Sequence, residues 1–170
     1  MYNLEELKIS ELKDGDILCY QKDTWIGLPI QFSTRNKISH CGTFSKGKIY
    51  EAVLPKVEKN DVKKSIEKSS SIMIQRPKFK FDIYELNKIL EEQVGKPYEI
   101  RGIWYEIKRQ IFGGWDGGNS IKMFFCSKLC LYAFWFILKN NKTFEKWYDC
   151  TPADIWEDRK NFDSYILIQD

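Results

Sequence analysis

The segment that most constrains the fold runs from Met123 to Phe136 and is the most apolar part of the chain. A helix with apolar side chains on nearly every side must be covered on several sides, so this segment predicts a central buried helix. Cys126 stands near its start, where the positive end of the helix dipole favours a thiolate over a thiol. Cys126 is therefore a candidate nucleophile, although a free cysteine in a buried helix is more often a plain core residue.

Composition excludes several classes of function. The 27 basic and 24 acidic side chains of the 170-residue chain leave a net charge of only +3, which does not indicate nucleic-acid binding. One histidine excludes a His-rich metal centre. The five cysteines are odd in number and lack paired CxxC spacing, which argues against a disulfide framework and a structural zinc site. We expect no metal or other cofactor. The cysteines are Cys19, Cys41, Cys126, Cys130 and Cys150.

The N-terminal segment Met1–Leu7 is acidic where a signal peptide would be basic and then apolar. The apolar segment contains Ser127 and Lys128 and falls short of the roughly 20 apolar residues of a membrane span. We expect a reduced, intracellular protein with one domain over residues 1–170. Its basic patches and aromatic side chains could still meet a lipid surface, and its oligomeric state is left open.

Alternating apolar residues and turn residues predict an α+β fold in which a small antiparallel sheet or half-barrel packs on the central helix. The lysine-rich stretch Leu54–Ser71 is expected to be an exposed loop with a short helix, and the glycine-rich stretch 113–119 a hinge or lid. The predicted strands are Ile17–Gln21, Lys37–Phe44, Lys48–Val53, Ser71–Arg76 and Ser164–Ile168, and the other predicted helices begin after Asp82, near Ile100 and at Pro152.

The only histidine lies in a predicted hairpin whose register can be tested from the sequence. With a loop of two or four residues, His40 and Glu51 project from the same face of the hairpin. They are then roughly 5 to 8 Å apart, either directly opposite or one diagonal apart. A three-residue loop without a bulge would place them on opposite faces. In two of the three simple cases the Glu51 carboxylate can therefore hydrogen-bond the His40 imidazole. The alternative interpretation is that Glu51 is an exposed strand residue without such a role.

These three residues suit acyl transfer by a thiol. The His40 imidazole would take the proton of Cys126 and later protonate the leaving group, while Glu51 would fix the tautomer of the imidazole. In most papain-like enzymes the cysteine precedes the histidine, so the order found here would require a circular permutation of that fold.

Six short motifs occur in the order found in one known family. They are Gly15–Leu18, Ser39–Gly42, Tyr50–Ala52, Gly95–Tyr98, Phe125–Ser127 and Thr151–Asp154. Over roughly residues 11–156 the chain resembles the permuted NlpC-type papain-fold cysteine hydrolases of the YiiX-like branch, which is related to the lecithin retinol acyltransferase group. Two departures are Cys41, where the family has an aliphatic residue, and the many glycines of 113–119.

The resemblance implies a circularly permuted papain-like fold and a cysteine hydrolase with Cys126 as nucleophile, His40 as base and Glu51 as orienting group. Tyr98 would bind the oxyanion or the substrate together with the backbone N–H of Cys126. We expect amidase or peptidase activity on a peptide or N-acyl amino acid. The alternatives are a lipid acyl hydrolase or acyltransferase at the same site, a non-catalytic binding module, and a redox protein, which the absence of CxxC disfavours.

Overall fold

The computed structural model describes residues 4–22, 24–67, 69–101, 104, 108, 122, 124–138 and 147–168. Over these residues the chain forms an α+β structure with one mixed seven-stranded sheet in the order β1-β7-β6-β2-β3-β4-β5. The strands are β1 (Glu5–Lys8), β2 (Ile17–Gln21), β3 (His40–Ser45), β4 (Lys48–Ala52), β5 (Val57–Asp61), β6 (Ser71–Pro77) and β7 (Phe162–Ile168). The helices are α1 (Gly27–Thr34), α2 (Val62–Ile66), α3 (Ile83–Gln93), α4 (Cys126–Ile137) and α5 (Pro152–Glu157).

The hairpin of β3 and β4 has the two-residue loop that brings the candidate site residues to one face. Ser45 pairs with Lys48, and the loop residues Lys46 and Gly47 both have positive φ angles, of 48° and 74°. Such a loop follows the right-handed twist of the two strands. In the same register Glu51 lies across from Gly42, so it is one diagonal away from His40.

The sheet is larger than predicted and is not purely antiparallel, because β1 pairs in parallel with β7. The predicted loop 54–71 contains β5 and α2 instead. β5 was missed because it borders the sheet and has only Val57 and Asn60 buried, so charged side chains fill its other positions. The strands predicted at 17–21, 37–44, 48–53, 71–76 and 164–168 are confirmed to within a few residues.

Alternation along the strands divides the interior between the two faces of the sheet. One face carries Ile17, Cys19 and Cys41 and packs with α3, α4 and α5. The other face carries Leu18 and Tyr20 and packs with Val62 and Ile66 of α2. The sheet therefore separates two apolar layers.

The predicted central helix is α4, and Cys126 is its first residue. Its side chains from Cys126 to Cys130 are all buried, whereas Phe136 near the other end is half exposed. No described helix is long and apolar enough to cross a membrane. The helix predicted near Ile100 lies mostly outside the described residues, and the loop at 113–119 lies entirely outside them.

The start of α4 is joined to the segment before the predicted helix at Ile100. Tyr98 and Phe124 form a parallel bridge, and the backbone N–H of Glu99 donates to the carbonyl of Phe124. The Lys128 ammonium, which has no exposed side-chain area, forms an ion pair with the largely buried carboxylate of Glu99. This pair holds Tyr98 and the first turn of α4 together.

We expect Lys128→Met to lower the free energy of unfolding by about 3 to 5 kcal/mol, because it leaves the Glu99 carboxylate buried without its partner. Urea denaturation measures the change. Lys128→Met combined with Glu99→Leu should recover a large part of the loss. The exposed pair of Lys48 and Asp61 is the control, and Asp61→Asn should change stability little. Equal effects of Lys128→Met and Asp61→Asn would contradict the structural role of the buried pair.

Candidate active site

The structure brings His40 and Glu51 into direct contact. His40 Nε2 lies 2.7 Å from Glu51 Oε2, and both residues are buried. The ring of Tyr20 stacks on the imidazole with 5.4 Å between the ring centroids. The hydrogen bond uses Nε2, so Nδ1 is the nitrogen left to interact with a nucleophile.

The Glu51 carboxylate is held by more than the histidine. Asn60 Nδ2 donates to Glu51 Oε1 at 3.1 Å, and the Lys22 ammonium lies 3.9 Å from Glu51 Oε2. Burial by itself would raise the pKa of Glu51, but the hydrogen bond and charge of His40, with smaller contributions from Lys22 and Ser65, lower this pKa to about 2. Glu51 therefore stays ionised. Sequence reasoning missed Asn60, because it assigned the segment carrying it to a loop.

A glycine leaves the space for the contact between His40 and Glu51. A Cβ atom at Gly42 would lie 2.7 Å from Ile49 Cγ2 and 3.1 Å from Glu51 Cβ. Because the position across the ladder from Glu51 has no side chain, the carboxylate can lie along the sheet toward His40. The glycine of the Ser39–Gly42 motif thus has a steric role at the site.

Cys126 joins the pair from the start of α4. Its thiol interacts with the imidazole of His40 and with both the thiol and the backbone N–H of Cys41. The hydrogen bond from the Cys41 thiol is the largest influence and lowers the pKa of Cys126, while burial raises this pKa. The charge and hydrogen bond of His40 lower the pKa further, so that it falls well below the ordinary thiol value. Cys126 is therefore poised to be a thiolate.

The pKa of the His40 imidazole is raised, whereas that of the Cys126 thiol is lowered. Burial would lower the pKa of His40, but the charge and hydrogen bond of Cys126 and the hydrogen bond and charge of Glu51 outweigh it and raise this pKa to about 9. The favoured state is thus an imidazolium between a thiolate and a carboxylate. This is the charge state in which papain-type cysteines attack carbonyl groups.

Cys41 lies in the predicted strand Lys37–Phe44, and in the structure it is a fully buried residue of β3. Its contact with the candidate nucleophile was missed. Burial first, and then hydrogen bonds with Cys126 and Cys130, raise the pKa of Cys41 well above its ordinary value. Cys41 therefore stays a thiol and can donate to Cys126. All five cysteines are free, and the sulfur atoms of Cys41 and Cys130 are 3.8 Å apart.

Tyr98 is half-buried and lies near the thiol. Burial first, and then the charges of Cys126 and Cys41, raise the pKa of its phenol, so the phenol keeps its proton. A protonated phenol is a hydrogen-bond donor. The backbone N–H of Cys126 belongs to the first turn of α4, where intrahelical acceptors do not exist. These are the two groups that the family resemblance implied, with Tyr98 expected to bind either the oxyanion or the substrate.

A pocket of about 300 Å³ opens beside His40. Cys126 is not among its described lining residues; it is 2% exposed and interacts with the pocket residue His40. The pocket is mostly apolar, and its wall includes Lys22, Trp25, Ile26, His40, Leu54 and Tyr98. The residues that the structure describes hold no group of three or more His, Cys, Asp or Glu side chains placed to bind a metal ion.

No family model and no curated protein matches the chain. Among solved structures, it is similar to the metalloprotein YiiX from Escherichia coli O157:H7, with a TM-score of 0.66 and 14% sequence identity over 93% of this chain and 97% of that chain. The chain shares the YiiX fold. At this identity the likeness shows the fold alone. The donor groups described here do not fit a metal centre, so no chemical step is assigned to a metal.

We expect Gly42→Ala to lower the free energy of unfolding by about 1 to 3 kcal/mol through overpacking, and to slow alkylation of Cys126 by moving Glu51 away from His40. Urea denaturation and the rate of iodoacetamide labelling measure the two effects. Gly47→Ala is the matched control, because its cost is backbone strain at the distant hairpin loop. It should lower stability and leave the labelling rate unchanged. A Gly42→Ala protein with normal labelling would contradict the steric role.

The pKa directions predict how alkylation of Cys126 depends on pH. The thiolate forms above the lowered pKa of Cys126, so the wild-type rate should reach half its maximum well below the ordinary thiol value of about 8.5. In His40→Ala the imidazolium is lost, and the midpoint should move up. In Glu51→Gln it should move up less.

Stopped alkylation followed by peptide mass mapping assigns the reaction to Cys126 among the five cysteines, with Cys126→Ala as the blank. A wild-type midpoint near 8.5 that His40→Ala leaves unchanged would rule out the ion pair of Cys126 and His40.

Proposed function

We propose that the protein is a cysteine-dependent hydrolase of the amidase or peptidase type that acts through an acyl-enzyme on Cys126. The observation that carries the proposal is the placement of the His40 imidazole between the Glu51 carboxylate, at 2.7 Å, and the thiol on the first residue of α4. This arrangement supplies a nucleophile, an acid-base group and an orienting group. The shared YiiX fold and the order of the six motifs are consistent with a permuted papain-like hydrolase.

In the first half of the reaction the Cys126 thiolate attacks the carbonyl carbon of an amide or ester. The C=O electrons move to the oxygen, which would accept hydrogen bonds from the Cys126 N–H and the Tyr98 hydroxyl. His40 Nδ1 gives its proton to the leaving nitrogen or oxygen as the bond to carbon breaks. The product is a thioester on Cys126 and a neutral imidazole.

In the second half a water molecule attacks the thioester carbonyl, and His40 Nδ1 takes the proton of that water. The tetrahedral intermediate then breaks its C–S bond, which releases the carboxylic acid and restores the thiolate. Glu51 accepts the hydrogen bond from Nε2–H throughout, so Nδ1 remains the nitrogen that exchanges protons. Another acceptor in place of water would make the enzyme an acyltransferase.

An acyl-enzyme assay tests the proposal. Wild-type protein mixed with p-nitrophenyl butyrate should show a burst of nitrophenol and a mass increase of one butyryl group on Cys126. Cys126→Ala should show neither, and His40→Ala should be slower by about 10²- to 10⁴-fold, because it loses the acid-base group. Ser164→Ala is the matched control; it removes a serine hydrogen bond to Gln75 Oε1 in the pairing of β6 and β7, away from Cys126, and should keep the burst.

A wild-type protein that binds the ester but forms no adduct on Cys126 would indicate a non-catalytic binding module. An adduct that persists in Cys126→Ala would place the nucleophile elsewhere. Circular dichroism of each variant separates loss of chemistry from loss of fold.

A second function at the same site is favoured by the exposed apolar side chains around the pocket. Trp25 of the pocket wall is 69% exposed, and Leu28 and Phe32, which follow one turn apart on α1, are 54% and 80% exposed. Such side chains could contact a lipid, so the alternative is hydrolysis or transfer of a lipid acyl group. Faster acylation of Cys126 by a short-chain phosphatidylcholine than by an acyl amide would favour this function over the first.

A further inference from the structure

Lys22 occupies a fixed position in the wall of the pocket. Its backbone N–H donates to Ser39 Oγ at 3.1 Å, and its carbonyl accepts from Ser39 Oγ at 2.9 Å and from Gln31 Nε2 at 3.3 Å. The main chain just after β2 is therefore held by side chains from two neighbouring segments. The Lys22 side chain starts from a defined point beside His40.

The Lys22 ammonium is partly removed from water and shares its nearest carboxylate, that of Glu51, with other partners. It lies 4.5 Å from the centroid of the Tyr20 ring, and its side chain is only 17% exposed. Its distance to Glu51 Oε2 is 3.9 Å, which is too long for a hydrogen bond. That carboxylate is already bonded by His40 and Asn60. Over the described part of the chain, the ammonium has no hydrogen-bond acceptor.

This environment disfavours the charge on Lys22. Burial lowers the pKa of Lys22, while the charges of Glu51 and of the Cys126 thiolate oppose the decrease. The interaction with Cys126 also places the ammonium within electrostatic range of the nucleophile. A bound anion would compensate a cation that is partly desolvated and that, within the described residues, forms no hydrogen bond and only a 3.9 Å ion pair with Glu51.

The described part of the pocket wall carries no negative charge. Beside Lys22 and His40, its described lining residues are Thr24, Trp25, Ile26, Gly27, Ser39, Ala52, Val53, Leu54 and Tyr98. The carboxylate of Glu51 is 2% exposed and does not line the pocket. The pocket thus combines one or two positive charges with apolar surface, which suits an anionic compound that also has an apolar part.

We propose that Lys22 is the anion-binding residue of this pocket and that the acyl compound attacked by Cys126 carries a carboxylate or phosphate group close to the scissile bond. The inference rests on the proposed function, since it takes Cys126 as the nucleophile. The apolar part of the compound would lie against Trp25 and Leu54. Lys22 would then discriminate between substrates and leave the chemistry to His40 and Cys126.

The test uses two alkylating reagents of similar size and opposite charge character. In both reactions the Cys126 thiolate forms a bond to the CH₂ carbon and iodide leaves, but iodoacetate carries a negative charge and iodoacetamide does not. The ratio of the two rate constants measures anion preference at the site. Any general change in thiolate reactivity affects both rates and cancels in the ratio.

We expect Lys22→Gln to lower the iodoacetate to iodoacetamide ratio about fivefold, as for loss of one partly screened ion pair. Lys22→Arg should keep the ratio close to that of wild type, because it retains the charge. Lys88→Gln is the matched control: it removes the same charge from an exposed position on α3 and should leave the ratio unchanged.

Protection experiments identify the anion. N-butyrylglycine and butyl phosphate are each added before iodoacetamide, with N-butyrylglycine amide as the neutral control. Protection of Cys126 by either anion that Lys22→Gln abolishes supports the inference and names the carboxylate or the phosphate. Equal protection by the neutral amide, or a ratio that Lys22→Gln does not change, overturns it while Cys126 remains reactive. A Cys126 that reacts with neither reagent refutes the proposed function itself.

Discussion

A buried carboxylate organises the region around the candidate site. Glu51 is 2% exposed and ionised, and a charge in that position costs several kcal/mol unless partners compensate it. The partners come from separate parts of the chain: His40 from β3, Asn60 from β5 and Ser65 from α2. The pairing of β3, β4 and β5 and the position of α2 are therefore tied to one side chain. The same hydrogen bonds orient the imidazole toward α4.

Three charges of alternating sign extend from this carboxylate to the helix. Glu51 is negative, His40 is positive and Cys126 is negative, and burial alone would neutralise each of them. Each group keeps its charge because its neighbour is charged. The thiol and the backbone N–H of Cys41 also donate hydrogen bonds to the Cys126 sulfur. A change at any one member should therefore alter the protonation of the others. The pKa of the Cys126 thiol is therefore lowered by the assembled fold and not by the helix dipole alone.

The first turn of α4 is positioned by polar contacts as well as by apolar packing. Lys128 is completely buried and pairs with Glu99, while Ser127 donates to the carbonyl of Cys150 at 2.7 Å. A helix held only by apolar contacts could slide or rotate by a fraction of a turn. The directional contacts of Ser127 and Lys128, which follow Cys126 in the first turn, restrict such motion. This matters because a thiol must be placed within hydrogen-bond reach of its base.

Much of the site followed from the amino-acid sequence alone. The apolar run 123–136 predicted α4, and the alternation on either side of Lys46 and Gly47 predicted a hairpin. Two of its three simple loop lengths place His40 and Glu51 on one face, and the structure has the two-residue loop. These features depend on local periodicity and turn chemistry, which the sequence carries directly. Only tertiary structure decided the rest. β1 and β5 border the sheet and lack a strong pattern, and Asn60, Cys41 and Lys22 acquire their roles from partners that are distant in the sequence. The charge of each group depends on burial and on neighbours that meet only when the sheet and α4 are assembled.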